Sequence, residues 1–228
     1  MTERTRVLFV SHIASETGLL LPVEELVARG RELGLVTVVD GAHAPAHVPL
    51  DLEALGADFY SGNTHKWLCA PKGAGFLHVR EEWQDRVDGP IVSWGYTDDR
   101  DTFVTRTELQ GTRDPAAYLA VPAAIEFVEA HDDRERCVAL AREARRELCA
   151  LLDEEPIAPE DQVLRMATFR VRGARAAHAA LWEDYRIEIP AMTDEHMRIS
   201  IAMYTEREDV ERLLDALARV LRISRSPV

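Results

Sequence analysis

Short apolar runs alternate with a helix-like segment at the start of the chain. Val7 to Val10 and Leu35 to Val39 are continuous runs of this kind, typical of strands buried on both faces of a parallel sheet. Between them, Pro22 opens a segment whose apolar residues recur at helical spacing, and Gly34 is well placed to end it. The pattern predicts a strand–helix–strand unit with a right-handed crossover.

The alternation continues toward residue 80. A short helix over 51–55, closed by Gly56, precedes a third predicted strand from Ala57 to Tyr60. Ser61-Gly62-Asn63 is typical of a turn, and Phe76 to Val79 predicts a further strand. Strands alternating with helices indicate the α/β class, in which ligands bind at the carboxyl ends of the strands.

Polar side chains follow the carboxyl ends of successive predicted strands and should gather at one edge of the sheet. These residues are Ser15, Asp40, His43 and Lys66. A lysine held at a strand end beside apolar surface can act as an amine nucleophile in carbonyl or Schiff-base chemistry. A loop lysine is more often a solvated surface charge, so this stretch alone does not decide between the two.

The second half of the chain is mainly helical before it becomes mixed. Asp114 and Pro115 start a predicted helix that runs to about Ala130 and that Pro122 should kink or divide. A polar turn is predicted before this helix, at 98–100. After it we predict a long charged helix (132–153), strands at 163–171, 186–189 and 197–203, and helices at 174–185 and 206–221. We therefore expect a larger domain over 1–155 and a small α+β domain over 156–228.

Composition narrows the possible partners. The apolar fraction of 46% and the charged fraction of 29% are those of a soluble globular protein. A net charge of −13 argues against nucleic acid or an anionic membrane surface as a partner. Cys69, Cys137 and Cys149 show no repeated spacing and indicate reduced thiols in a cytoplasmic protein. We expect neither a signal peptide nor a membrane span.

The spacing of several motifs resembles that of the class V aminotransferase family, which comprises fold type I enzymes that use pyridoxal 5′-phosphate (PLP). Asp40-Gly41-Ala42-His43 precedes Lys66 in a Ser-Gly-Asn-Thr-His-Lys context, and Gly-Thr-Arg-Asp-Pro (111–115) and Met-Arg-Ile-Ser (197–200) follow. Within the family, the chain is most similar to isopenicillin N epimerase-like proteins. The resemblance covers essentially the whole chain. It implies part of the PLP-transferase large domain, with a mainly parallel sheet, plus the small C-terminal domain.

The resemblance implies roles around the cofactor. Lys66 would hold PLP covalently and move the α-proton of the substrate, and Asp40 would keep the pyridine nitrogen protonated. His43 would lie near the ring, and His65 and Asn63 would contact the phosphate or order the lysine. Without the resemblance, Asp40 would be interpreted as a turn former and His43 as a structural residue.

Three further roles follow from the resemblance. Arg198 would bind the substrate carboxylate, because a guanidinium fork matches a carboxylate at two points. Ser15 would reach an oxygen of the cofactor, the alternative being a local bond to the backbone. Thr112 would donate to the PLP phosphate of a neighbouring subunit, which predicts a homodimer; the alternative is a turn threonine.

A metal site is not expected. His43 and His47 have a spacing that occurs among metal ligands, but Pro45 and Pro49 argue against a helix that would put both on one face.

The chain departs from the family pattern at its start. The part that supplies a residue stacked on the PLP ring and a Gly/Thr phosphate loop has no counterpart here. We therefore expect exposed apolar surface near Val7 to Val10, weak PLP binding by this chain alone, and pairing either as a homodimer or with a missing N-terminal half.

The reaction stays open at this point. No cysteine lies between Glu188 and Arg198, which disfavours persulfide-forming chemistry. Epimerisation at Cα of an amino-acid-derived substrate is our first hypothesis, with C–S lysis or transamination as alternatives. A non-catalytic interaction module is the hypothesis from another class.

Overall fold

The computed structural model describes residues 1–96 and 102–223, so the turn predicted at 98–100 lies outside the described residues. The chain forms two compact units, Met1–His12 with Pro22–Val128 and Ile13–Leu21 with Glu129–Val228. The long charged helix packs in the second unit, although the predicted domain boundary lies near residue 155. The predicted domain boundary near residue 155 therefore stays a prediction.

The strands form two sheets. Their bounds are β1 Val7–Ser11, β2 Val36–Asp40, β3 Phe59–Asn63, β4 Gly75–Val79, β5 Met166–Arg170 and β6 His196–Ser200. The first sheet has the order β1-β2-β3-β4, with β1, β2 and β3 parallel and β4 antiparallel to β3. The second sheet is the antiparallel pair β5–β6. The strand–helix–strand unit predicted from the sequence is therefore present.

The helices are distributed along the whole described part of the chain. They are α1 Val23–Glu32, α2 Leu52–Leu55, α3 Glu81–Gln84, α4 Phe103–Glu108, α5 Ala116–Leu119, α6 Val121–His131, α7 Arg134–Leu152, α8 Ala174–Tyr185 and α9 Arg207–Leu221, with 3₁₀ turns at Trp94–Tyr96 and Glu160–Gln162. Gly56 adopts the left-handed conformation that ends α2. Pro122 lies in the first turn of α6, where the predicted single helix is divided. No helix in the described part of the chain is both long and apolar enough to cross a bilayer.

The turn predicted at 61–63 is wrong, because these residues continue β3. Gly62 pairs with Phe76 and Asn63 with Gly75 across the antiparallel β3–β4 ladder. A Cβ at residue 62 would overlap the Phe76 ring, so the close approach of that ring requires glycine. The chain turns after Asn63 instead.

The expectation that β1 is buried on both faces is also wrong. Helix α1 covers one face of the sheet, where a Cβ on Gly30 would lie 2.8 Å from Thr37 and 3.0 Å from Leu8. On the other face, Val7, Phe9 and Leu77 are 52%, 67% and 51% exposed. The exposed apolar surface expected at the start of the chain is therefore present.

The second unit has its own apolar core. One face of the β5–β6 pair, with Phe169 and Met197, packs on helices α7, α8 and α9. Those helices contribute Leu148, Leu181 and Leu217, all fully buried. The apolar stripe predicted for α9 faces this core, which is the usual arrangement for an amphipathic helix.

The strand predicted at 186–189 is not formed. Arg186 has a φ of 56° and caps the end of α8 in the left-handed conformation. Beyond it, the chain meets β6 through a bridge between Ala191 and Met197 and through a few backbone hydrogen bonds, among them one from the Arg198 amide to the Pro190 carbonyl at 3.2 Å and one from the Met192 amide to the His196 carbonyl at 2.8 Å. Because Pro190 has no N–H, it cannot donate to a regular ladder.

A buried carboxylate joins three elements of the first unit. Asp58 is 5% exposed and accepts hydrogen bonds from the backbone N of Thr37 at 2.7 Å and from its Oγ1 at 2.9 Å. The indole Nε1 of Trp83 donates to the second oxygen at 3.0 Å. Asp58 therefore ties the start of β3 to β2 and α3 through donors that only a carboxylate can all satisfy.

We predict that Asp58→Asn lowers the free energy of unfolding by about 2–3 kcal/mol, because the new amide donors face existing donors in a buried site. Urea denaturation followed by circular dichroism measures the effect. Glu82→Gln is the matched control: Glu82 is an exposed partner of Arg80, and losing it should cost less than about 1 kcal/mol. Equal losses in the two variants would contradict this account.

Candidate active site

Asp40 and Lys66 follow the ends of two adjacent parallel strands in the first unit. Asp40 is the last residue of β2 and pairs in register with Ser61 of β3. Strand β3 continues to Asn63, and Lys66 lies in the turn that follows. The hydrogen-bonded strands therefore bring a carboxylate and an amine to the same edge of one sheet.

The backbone holds the Asp40 carboxylate in place. Its Oδ1 accepts a hydrogen bond from the Ala42 amide at 2.9 Å, and its backbone carbonyl accepts one from the His12 amide at 2.8 Å. The side chain is half-buried. Because one N–H uses only part of the acceptor capacity of a carboxylate, Asp40 can also accept a hydrogen bond from a protonated ring nitrogen.

Tyr60 packs against the turn that carries Asp40. A Cβ on Gly41 would overlap the Tyr60 ring, which is fully buried. The Tyr60 hydroxyl lies 2.8 Å from Nδ1 of His12. Burial, followed by the charge of Asp40, raises the pKa of Tyr60. Sequence reasoning missed Tyr60 and His12; the glycine directly after Asp40 was the one available signal.

His43 belongs to a buried cluster next to Lys66. Nε1 of Trp67 donates to Nδ1 of His43 at 3.4 Å, which leaves the proton of the neutral ring on Nε2. Nδ1 of His47 lies 3.1 Å from the His43 carbonyl, and the His47 and Trp67 rings are 4.4 Å apart. The cluster fixes His43 and gives His47 a packing role.

The turn around Lys66 contains a buried ring nitrogen that lacks a hydrogen bond. Nδ1 of His65 is buried and has no hydrogen-bond partner within the described residues. The loop itself is anchored, since Oγ1 of Thr64 donates to the Ala74 carbonyl at 2.9 Å. Asn63 lies directly before this loop, opposite Gly75. A ligand atom that hydrogen-bonds to His65 would satisfy the ring nitrogen.

Arg198 and Ser15 meet in the second unit. Arg198 lies in the middle of β6, and its Nη1 donates to the backbone carbonyl of Ser15. The Ser15 Oγ is 3.5 Å from the same nitrogen. Nε of Arg198 is buried and makes no hydrogen bond within the described chain. Burial lowers the pKa of Arg198, as expected for a guanidinium removed from water.

Thr112 belongs to the first unit. It follows Gly111, whose φ of 97° is in the left-handed region, in an exposed loop of the first unit. The structure thus brings Asp40, His43, Asn63, His65 and Lys66 to one edge of the first unit, and Ser15 and Arg198 together in the second. The roles that the resemblance gave to these residues stay predictions.

Comparison with solved structures identifies the fold. The chain matches the complex of a cystine C–S lyase with its product cysteine persulfide at a TM-score of 0.84 and 25% identity, over 96% of this chain and 62% of that one. It matches a mutant of that lyase with glycine covalently linked to its PLP cofactor at 0.85 and 24% identity, over 96% and 61%. The fold is therefore part of the PLP-dependent fold type I, as predicted.

Comparison with protein families identifies the family. The family model for class-V aminotransferases matches residues 1–213, and the chain belongs to that family. It is 39% identical to isopenicillin N epimerase of Amycolatopsis lactamdurans over 95% of this chain and 60% of the relative. The chain thus spans about 60% of the length of that relative. The cofactor predicted from the sequence, PLP, is confirmed by the family and by its structural neighbours.

We predict that the first unit loses stability as the pH falls below neutral. Burial lowers the pKa of His12 from its usual 6.5, so the unfolded chain binds a proton that the folded unit disfavours. Stability from this group is therefore fully present above pH 6.5 and decreases as the pH falls toward the folded pKa. Urea denaturation of wild type and His12→Gln between about pH 7 and pH 5.5 measures the effect. A pH dependence as steep in His12→Gln as in wild type would contradict it.

Proposed function

We propose that this chain carries the lysine and aspartate of a PLP-dependent active site that removes the α-proton of an amino-acid substrate. The observation that supports the proposal most is that Asp40 and Lys66 follow the ends of two hydrogen-bonded parallel strands. Epimerisation at Cα is the reaction that we put first. Because the chain spans about 60% of its relative, the activity of the whole protein is part of this proposal.

The residues in the first unit fit PLP chemically. A pyridine nitrogen that carries a proton needs an acceptor, and the half-buried Asp40 carboxylate has acceptor capacity left. Nδ1 of His65 is a buried polar atom that makes no hydrogen bond to the described residues, and the cofactor phosphate can satisfy it. Lys66, in the loop that follows β3, supplies the amine that holds the cofactor covalently.

Each residue then has a defined task. When bound, PLP supplies an electron sink for the carbanion left by loss of the α-proton. The Asp40 carboxylate holds the proton on the ring nitrogen that makes the ring an effective sink. When it is not bonded to the cofactor, the Lys66 amine would take the proton from Cα, and epimerisation then requires that a proton returns to the opposite face of Cα. Trp67 fixes the orientation of the His43 ring by donating to its Nδ1.

Arg198 binds the substrate carboxylate in this proposal. Its Nη1 is held by the Ser15 carbonyl, whereas its Nε is buried and lacks a hydrogen bond within the described residues. A partly buried guanidinium with an unsatisfied N–H favours an anion, because the anion restores both the charge balance and the hydrogen bond. The α-carboxylate common to all amino acids provides both.

C–S lysis is the second candidate reaction. The likeness to a cystine C–S lyase supports it, as the 39% identity to an isopenicillin N epimerase supports epimerisation. Both reactions begin with loss of the α-proton, so the residues above serve either. Transamination shares that first step too. A persulfide-forming role stays disfavoured, because the three cysteines lie outside residues 188–198.

Partners and location belong to the proposal as well. The exposed apolar side chains of Val7, Phe9 and Leu77 lie on one sheet face and suit a further polypeptide surface. We propose a homodimer, in which Thr112 reaches the phosphate of the neighbouring subunit, or pairing with an N-terminal half. The three cysteines, all within the described residues, form no disulfide, which supports a cytoplasmic location.

Lysine usage makes the proposal directly testable, because Lys66 and Lys72 are the only lysines of the chain. We predict that wild type and Lys72→Ala, incubated with excess PLP, keep a visible absorption band after the unbound PLP has been removed, and that Lys66→Ala does not. The same three proteins are assayed for solvent deuterium entering Cα of an amino acid. Exchange should be present, even if slow, in wild type and Lys72→Ala alone.

Two outcomes would contradict the proposal. A band of equal strength in Lys66→Ala would assign the cofactor to another amine. A wild type that is colourless once the unbound PLP has been removed, and that elutes on size exclusion as a monomer or mixed complex, would favour the non-catalytic interaction module. Racemised amino acid or released sulfide then separates epimerisation from C–S lysis.

A further inference from the structure

A segment from the start of the chain packs on the β5–β6 pair. We call Ile13–Leu21 the strap; it belongs to the second unit. The Leu20 amide donates to the Gln162 carbonyl at 3.4 Å, and Ile13 and Leu20 form a bridge that closes the strap on itself. A Cβ on Gly18 would lie 2.9 Å from Cβ of Met166, so strap and strand are in close contact.

The strap explains why β5 is buried on both faces. Ala167 and Phe169 face the apolar core of the unit. Met166 and Thr168 alternate with them and point to the opposite face, yet they are only 1% and 5% exposed. The strap covers that face, and Thr168 is a polar side chain beneath it.

Thr168 and Arg198 form a cross-strand pair under the strap. They are partners in the antiparallel register of β5 and β6, so their side chains stand next to each other on one face. Oγ1 of Thr168 donates to the carbonyl of Glu16 at 2.6 Å. Nη1 of Arg198 donates to the carbonyl of Ser15. Two neighbouring side chains thus bind two successive carbonyls of the strap.

This arrangement fixes the orientation of the guanidinium. With Nη1 held by the Ser15 carbonyl, the planar group cannot rotate without losing that bond. The buried Nε, which makes no hydrogen bond within the described residues, then keeps a constant direction. The Thr168 hydroxyl holds the adjoining Glu16 peptide and so contributes to the position of the Ser15 carbonyl.

We propose that Thr168 is a positioning residue for the carboxylate site: through the strap, it holds Arg198 in the orientation that accepts a carboxylate. The inference rests on the role that the proposed function gives to Arg198. Thr168 does not touch the ligand. Its effect is on binding of the carboxylate, so it should appear in KM far more than in kcat.

The test compares Thr168→Val, which keeps the shape and removes the donor, with Thr168→Ser, which keeps a hydroxyl. Acetate is the probe, and chloride at equal ionic strength is the reference. The ¹⁵N–¹H signal of the Arg198 Nε–H is identified by its loss in Arg198→Lys, and its shift on titration gives the acetate Kd. Thr193→Val, in an exposed loop of the same unit, is the matched control.

We expect Thr168→Val to raise the acetate Kd by about three- to tenfold, the loss that one neutral hydrogen bond corresponds to. Its Arg198 signal should shift before acetate is added, because the guanidinium is no longer held. Thr168→Ser and Thr193→Val should stay within about twofold of wild type. If Thr168→Val does not fold, Thr168→Cys replaces it, with an intermediate loss because a thiol is a weak donor.

The outcomes separate this inference from the proposed function. An Arg198 signal and acetate Kd unchanged in Thr168→Val, or in Thr168→Cys, would overturn the positioning role. A wild type whose Arg198 signal does not respond to acetate would overturn the carboxylate site instead. In that case the shift of the Arg198 signal in Thr168→Val, measured without acetate, still tests whether Thr168 orients the guanidinium.

Discussion

The parallel hydrogen bonding of β1, β2 and β3 is the constraint on which the candidate site depends. Its register aligns Ser11, Asp40 and Ser61 across three strands. The ladder continues past the strand ends, where the His12 amide donates to Asp40 and the Gly41 amide donates to Ser61, both at 2.8 Å. These bonds fix the edge of the sheet at which β2 ends in Asp40 and β3 leads into the loop of Lys66. The chemistry proposed for the two residues needs both of them at this edge.

Side chains packed next to this edge restrict which residues fit there and how their side chains are oriented. The Tyr60 ring leaves room only for glycine directly after Asp40. Trp67 holds His43 by a hydrogen bond to its Nδ1 and packs against His47. In the second unit, the strap does the same for Arg198 by giving its Nη1 a carbonyl. Two buried side-chain nitrogens, Nδ1 of His65 and Nε of Arg198, make no hydrogen bond within the described residues, whereas the groups around them are paired. This is how a folded chain prepares a polar site before a ligand arrives.

Local signals predicted the helices and the first sheet well. Gly56 ends α2 and Pro122 divides the helix around residue 120, because both act through their own backbone geometry. Errors arose where distant pairing decides the outcome. Gly62 lies in a strand because β4 pairs with it, and Arg186 caps a helix where a strand was predicted. Motif spacing singled out Asp40 and Lys66 as candidates, and their roles stay predictions, whereas the contacts of Tyr60 and Thr168 are ones that no spacing encodes.

The central claim is that the carboxylate of Asp40 and the amine of Lys66 act on one pyridine ring. The most direct measurement is the ¹⁵N resonance of bound PLP labelled at the ring nitrogen, compared between wild type, Asp40→Asn and the exposed control Asp85→Asn. The account predicts a protonated nitrogen in wild type and in Asp85→Asn, and loss of that proton in Asp40→Asn. The same resonance in all three proteins would contradict it.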